Sequence, residues 1–157
     1  MTTTPEGRRL IQRFEACRLS AYQDVAGIWT IGWGTTRYPD GRRVQAGDTC
    51  TQEEADRFFA HDLRRFELGV DALTTDAVSP RQFDALVSCT YNIGEGAYSG
   101  STLRRRVNAN PGDPSIRGAF MMWHRADGKP SKGLWRRRHL EADFYFGVST
   151  PVPPFPG

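Results

Sequence analysis

The chain has no apolar run approaching the ~20 residues of a membrane-spanning helix. Its start, Met1 to Arg9, is polar where a secretory signal would be apolar. The expectation is a protein that accumulates in the cytoplasm and leaves it only with outside help. Cysteine is scarce: Cys17, Cys50 and Cys89 are odd in number, far apart and without a Cys-x-x-Cys pair. That pattern argues against a disulfide framework and a cysteine zinc site, and predicts three largely buried thiols made in a reducing compartment. His61, His124 and His139 are scattered with no pair at metal-ligand spacing, so they read as solvated or packed residues and neither a metal nor a cofactor is expected. Lysine is nearly missing, Lys129 and Lys132 being two of 21 basic residues. The rest are arginines, clustered at Arg104–Arg106 and Arg136–Arg138. A net charge of +3 makes the chain attractive to polyanions without choosing among nucleic acid, an anionic bilayer and a cell wall.

What is present is an ordinary globular composition, 38% hydrophobic and 25% charged over 157 residues, enough for one core or one core shared by two small lobes. Thr4-Pro5-Glu6 is a helix start, and Leu10, Ile11 and Phe14 continue it to about Glu15. Residues 19–38 are rich in β-branched and aromatic types punctuated by glycine, which predicts a hairpin or three-stranded sheet. In a strand Ile28–Trp33, the residues Trp29, Ile31 and Trp33 share one face and Thr30 takes the other. Thr51-Gln52-Glu53-Glu54 is a capping box opening a long helix, Ser79-Pro80 opens another, and further helices are expected near 102–108, 115–125 and 133–146. The proline-rich tail from Thr150 should lie extended on the surface.

Two carboxyl groups stand out. Glycosidic cleavage uses one protonated acid to donate to the leaving oxygen and one carboxylate to activate water or attack the sugar. Glu15 falls at the negative end of the first helix beside Phe14, conditions that suit a general acid. Asp24 falls at a turn whose backbone N–H groups favour a carboxylate. On spacing alone, the same two residues also look like a solvated glutamate and a turn aspartate.

The run Tyr22-Gln23-Asp24-Val25-Ala26-Gly27-Ile28-Trp29-Thr30-Ile31-Gly32-Trp33-Gly34, with Glu15 ahead of it, resembles the Glu–Asp–Thr catalytic region of the phage T4-type lysozyme and endolysin family, glycoside hydrolase family 24. The resemblance continues through Gln82 to Gly94, Ser101-Thr102-Leu103-Arg104, and Phe120 through Trp123 to Gly133–Glu141. It implies a lysozyme-like α+β fold: a single domain with a β-lobe near 16–50, a linking helix about 51–68, a helical lobe about 71–147 that takes the first helix, and an active-site cleft between the lobes. It implies Glu15 as proton donor, Asp24 as the second carboxylate and Thr30 as the group that positions water. Thr36, Tyr91 and Thr102 correspond to sugar-contacting positions, and Arg137 to an arginine that pairs with the catalytic glutamate. The substrate implied is peptidoglycan, cut between N-acetylmuramic acid and N-acetylglucosamine by a monomer that reaches the wall through a holin-type membrane protein. The family typically inverts the anomeric carbon, which needs acids roughly 6.5–9.5 Å apart. One departure is Asp127 in Ala126-Asp127-Gly128-Lys129, where many relatives have glycine.

Two other readings predict different behaviour. A lytic transglycosylase would close a 1,6-anhydro ring and has no use for Asp24 and Thr30. A non-catalytic basic module would bind wall, DNA or membrane through its arginine clusters and tolerate loss of Glu15. The run Arg104–Arg106 reads as a solvated helix face, and no specific nucleic acid is expected.

Overall fold

Helix boundaries coincide with caps written in the sequence. The computed structural model describes all residues from Met1 to Gly157. In chain order it contains α1 (Pro5–Phe14), β1 (Arg18–Gln23), β2 (Trp29–Gly32), α2 (Gln52–Leu73), α3 (Pro80–Ile93), α4 (Glu95–Ser99), α5 (Thr102–Ala109), α6 (Ile116–Met121), β3 (Arg125–Ala126), β4 (Lys129–Pro130) and α7 (Lys132–Phe146). At the head of α1 the Thr4 hydroxyl accepts the Gly7 N–H at 3.1 Å. At α2 the Thr51 N–H donates to Glu54 Oε1 at 3.0 Å and the Glu54 N–H to Thr51 Oγ1 at 3.1 Å, the reciprocal box expected there. Ser79 and Gln82 form a second such box at α3.

Residues 11–65 make one compact unit, and residues 1–10 with 66–157 make the other. In the first, β1 and β2 pair antiparallel with Tyr22 opposite Thr30 and Gln23 opposite Trp29. The strand expected to reach Trp33 stops at Gly32, because Ile31 and Thr35 exchange N–H···O bonds of 2.8 and 2.9 Å across a tight turn. Isolated bridges at Ser20–Thr49 and Arg37–Arg43 extend the pairing beyond these two strands. Ile11, Ile31, Val44, Ala55, Phe59 and Leu63 form this unit's core. Trp33 lies 6.2 Å, centroid to centroid, from Phe59, and its Nε1 donates to Asp56 at 2.9 Å.

In the second unit α3 is buried continuously from Phe83 to Thr90, as a helix with neighbours on every side must be. Helix α7 packs on α3, and α6 packs on α7. The Arg136–Arg138 cluster does not form an exposed charged face. Arg137 and Arg138 are buried, and Glu141 answers them: its Oε1 accepts Arg137 Nε at 3.0 Å, Arg138 Nη2 at 3.0 Å and the Ser88 hydroxyl at 2.8 Å. In the Arg104–Arg106 run Arg105 is exposed, as a solvated face requires, while Arg104 and Arg106 are half-buried. Arg104 donates to the Leu73 and Ser99 carbonyls, Arg105 to Gly100 and Arg106 to Ser115, so all three brace backbone. Of the thiols, Cys89 alone is fully buried and Cys17 and Cys50 are half-buried. The segment expected as a helix through 125 ends at Met121 and gives way to the β3–β4 hairpin. Its turn residues Asp127 and Gly128 have φ of 51° and 73°, which is how an Asp-Gly pair closes a two-residue hairpin, so aspartate substitutes there without distorting the loop.

Gly7 of α1 illustrates how closely the second unit is packed. A Cβ at this position would lie 2.4 Å from Cγ of Asp84, a carboxylate held in place by the Thr4 N–H and hydroxyl. Burial raises the Asp84 carboxyl above its ordinary value, against the pull of those two hydrogen bonds. In an open helix Gly→Ala stabilises by about 1 kcal/mol. Here Gly7→Ala should destabilise by about 1–3 kcal/mol through overpacking. Thermal melting checks the sign, and a raised Tm would contradict the close approach.

Candidate active site

Three of the residues singled out by the sequence sit around one hairpin. Glu15 is half-buried, one residue beyond the end of α1, and its N–H still donates to the Ile11 carbonyl at 3.2 Å. Asp24 occupies the turn between β1 and β2. Its Oδ1 accepts the N–H groups of Ala26 and Ile28, both at 2.9 Å, while its own N–H donates to the Ile28 carbonyl and its carbonyl accepts from Gly27. These are the turn N–H groups the sequence led one to expect. Both side-chain bonds fall on Oδ1, so Oδ2 is the oxygen left for an incoming group.

Thr30 is buried in β2, directly across the ladder from Tyr22. Its hydroxyl donates to the Ile28 carbonyl at 3.0 Å. With the proton committed there, Oγ1 presents lone pairs, so a partner must donate to it.

Tyr22 connects the three. Burial pushes its hydroxyl above the ordinary value, and Arg18, whose guanidinium lies 4.5 Å over the ring, pulls the other way. The charges of Glu15 and Asp24 both push the hydroxyl further up. Both carboxyl groups therefore lie within electrostatic reach of the side chain that faces Thr30. In the sequence Tyr22 stands out only as part of a motif, without a role.

Asp62 was missed altogether. It lies on α2 and its Oδ2 accepts the hydroxyl of buried Thr35 at 2.7 Å, fastening the end of the hairpin turn to the helix. An aspartate within an amphipathic helix carries no sequence signal for such a bond.

Thr36 is exposed and borders a surface depression with Trp29 and Arg37. The remaining three residues are in the other unit, on three different helices. The Tyr91 ring lies 5.0 Å from that of Phe66. Thr102, the first residue of α5, accepts Arg105 Nη2 at 2.9 Å. Arg137 is buried and, besides Glu141, donates to the Ser88 carbonyl at 3.1 Å.

The mixed architecture, mostly helical with a small antiparallel sheet, is that of the lysozyme-like α+β fold. The family model described as phage lysozyme matches residues 12–141. The endolysin of Salmonella phage P22 is 36% identical over 144 residues, covering 92% of this chain and 98% of that protein. The solved endolysin from Escherichia coli O157:H7 phage FAHEc1 superposes with a TM-score of 0.86 at 38% identity, over 96% of this chain and 97% of that one. The muramidase domain of SpmX from Asticaccaulis excentricus gives 0.80 at 31% identity, over 96% and 99%. The chain belongs to the phage lysozyme family, and so to the lysozyme-type enzymes that lyse peptidoglycan.

Burial raises the Asp62 carboxyl above its ordinary 3.8, against the Thr35 hydrogen bond and the Arg65 and His61 charges. A carboxyl held above its unfolded value contributes stability that is complete below that value and is lost as pH rises through the folded one. In Asp62→Asn this dependence disappears. The Tm of the variant relative to wild type should therefore climb as pH is raised from ~3 to ~7; a flat or falling difference would contradict the assignment.

Proposed function

We propose that the protein is a muramidase that hydrolyses the β-1,4 bond between N-acetylmuramic acid and N-acetylglucosamine, with Glu15 as general acid, Asp24 as general base and Thr30 as the water-orienting residue. The observation that carries this reading is the hydrogen bonding of the hairpin: the Ala26 and Ile28 N–H groups hold Asp24 Oδ1 and the Ile28 carbonyl takes the Thr30 hydroxyl proton, which leaves Asp24 Oδ2 and the Thr30 lone pairs for a water.

As the bond between the muramic C1 and the bridging oxygen breaks, the Glu15 carboxyl gives its proton to that oxygen, which leaves as the 4-hydroxyl of N-acetylglucosamine. Water attacks C1 from the opposite side. One of its O–H groups donates to Thr30 Oγ1, whose own proton is held by the Ile28 carbonyl, and the other donates to Asp24 Oδ2, which takes the proton as the new C–O bond forms. The two N–H groups on Oδ1 keep the Asp24 carboxylate oriented through this step. Proton exchange with solvent then resets both acids. A single displacement of this kind inverts the anomeric centre. In this reading Thr36, Tyr91 and Thr102 contact sugar and Arg137 supports Glu15. The enzyme works as a single-domain monomer and reaches the wall through a membrane permeabilised by a holin-type protein. No helix of the structure is long and apolar enough to cross a membrane.

Purified peptidoglycan digested with wild type, Glu15→Gln and Asp24→Asn, with the released muropeptides identified by mass spectrometry, tests the chemistry. Wild type should yield reducing N-acetylmuramic ends, and each variant should lose at least ~10²-fold in rate. Anhydro ends would reassign the protein to lytic transglycosylases, and undiminished lysis by Glu15→Gln would remove the proposed acid.

A further inference from the structure

The loop that follows the catalytic hairpin carries a charge arrangement that the hydrolysis does not use. Arg37 and Arg43 are direct partners across an antiparallel bridge and both are exposed. Like charges facing each other across a strand pair destabilise it, and the nearby acids do not compensate. Asp40 is engaged by Arg42, with Nε to Oδ2 at 2.7 Å. Asp48 accepts the Tyr38 hydroxyl at 2.7 Å and the Gln45 N–H at 3.0 Å. Arg37 spends one donor, Nη1, on the Gly41 carbonyl at 2.9 Å.

The two arginines line a depression of about 410 Å³ whose other walls include Ile28, Trp29, Thr36 and Val44. Ile28 is also the residue whose N–H donates to Asp24 and whose carbonyl accepts the Thr30 hydroxyl. One residue of its wall, Ile28, is thus bonded through its backbone to both groups assigned to the water. A muramic residue at those groups carries its peptide stem on the lactyl ether at C3, close to the bond being cut. That stem presents free carboxylates beside small apolar side chains. Two guanidinium groups over apolar walls suit such a ligand, since each can take a carboxylate through paired N–H donors and a shared anion would relieve their mutual repulsion.

Building on the muramidase reading, we propose that this depression is a stem-peptide subsite in which Arg37 and Arg43 bind a carboxylate of the peptide attached to the muramic residue. The site makes the enzyme prefer peptide-bearing wall over bare glycan.

The test compares three substrates made from one peptidoglycan preparation: intact, stripped of stems by an N-acetylmuramoyl-L-alanine amidase, and with stem carboxylates chemically amidated. Reducing ends are measured as a function of substrate concentration. Wild type should have kcat/KM about tenfold higher on the intact material than on either modified form, a gap the size of one charge-assisted contact, carried by KM. Arg37→Gln/Arg43→Gln should lose that gap without a fall in Tm, because a like-charge pair has been removed. Equal wild-type rates on all three substrates would overturn the subsite and leave the muramidase reading intact, and so would a gap that persists in the double variant. The amidated substrate tests the same carboxylate without any mutation. A wild type that releases no reducing ends from any substrate would instead end the muramidase reading, and this inference with it.

Discussion

Everything the candidate site does depends on how the turn at Asp24 is held. One carboxylate oxygen accepts the N–H groups of Ala26 and Ile28, and the backbone of Asp24 closes the same turn through Ile28 and Gly27. The fold thereby satisfies four polar groups of a short exposed loop with a single residue, two through its side chain and two through its backbone, beside the register that puts Tyr22 opposite Thr30. The same Ile28 carbonyl that receives the Asp24 N–H also receives the Thr30 hydroxyl. Structure and chemistry thus share one set of hydrogen bonds: the second oxygen of Asp24 and the lone pairs of Thr30 are available because the other half of each group is already committed.

The helical unit solves a different problem, the burial of charge. Glu141 is wholly buried and gathers three donors on one oxygen, with Arg138 Nε 2.8 Å from the other. Such a cluster is costly to desolvate and is tolerated only when its members satisfy one another, so removing one partner strands the rest. Asp143 does similar work nearer the chain end. Burial alone would raise its carboxyl, but the Thr150 N–H and hydroxyl, Arg117 and His139 hold it below the ordinary range, and these bonds tie the tail to α7. Trp135 Nε1 adds a bond to the Pro153 carbonyl. These commitments bear on function as well. Of the arginine clusters that made a general polyanion-binding module worth considering, Arg137 and Arg138 are buried on Glu141, while Arg105 and Arg136 stay exposed.

Features set by adjacent residues were legible in the sequence. Thr4-Pro5, Thr51 with Glu54, and Ser79-Pro80 each mark a helix start because the cap and its donor lie within one turn. The Asp24 turn was readable for the same reason. What was hidden depended on distant partners. Nothing near Arg137 and Arg138 announces that Ser88, some 50 residues earlier, will help bury them, and a run of arginines in a helix looks the same whether it faces water or a carboxylate. Thr35 and Asp62 meet only because the hairpin turn lies on α2. The segment expected to stay helical to 125 leaves α6 after Met121, because the Asp-Gly turn at 127–128 closes a hairpin that takes Arg125 and Ala126 into a strand.

The central claim is that Asp24 and Thr30 direct a water molecule at the sugar, so that the bond is cut in one displacement. Proton NMR of the anomeric signals, recorded while fresh reducing ends form and before they mutarotate, addresses it most directly. The account predicts that the α-anomer of N-acetylmuramic acid is released first from the β-linked substrate. Initial release of the β-anomer would mean two displacements through a glycosyl–enzyme intermediate, and would contradict the role given to the water and to the hairpin that holds it.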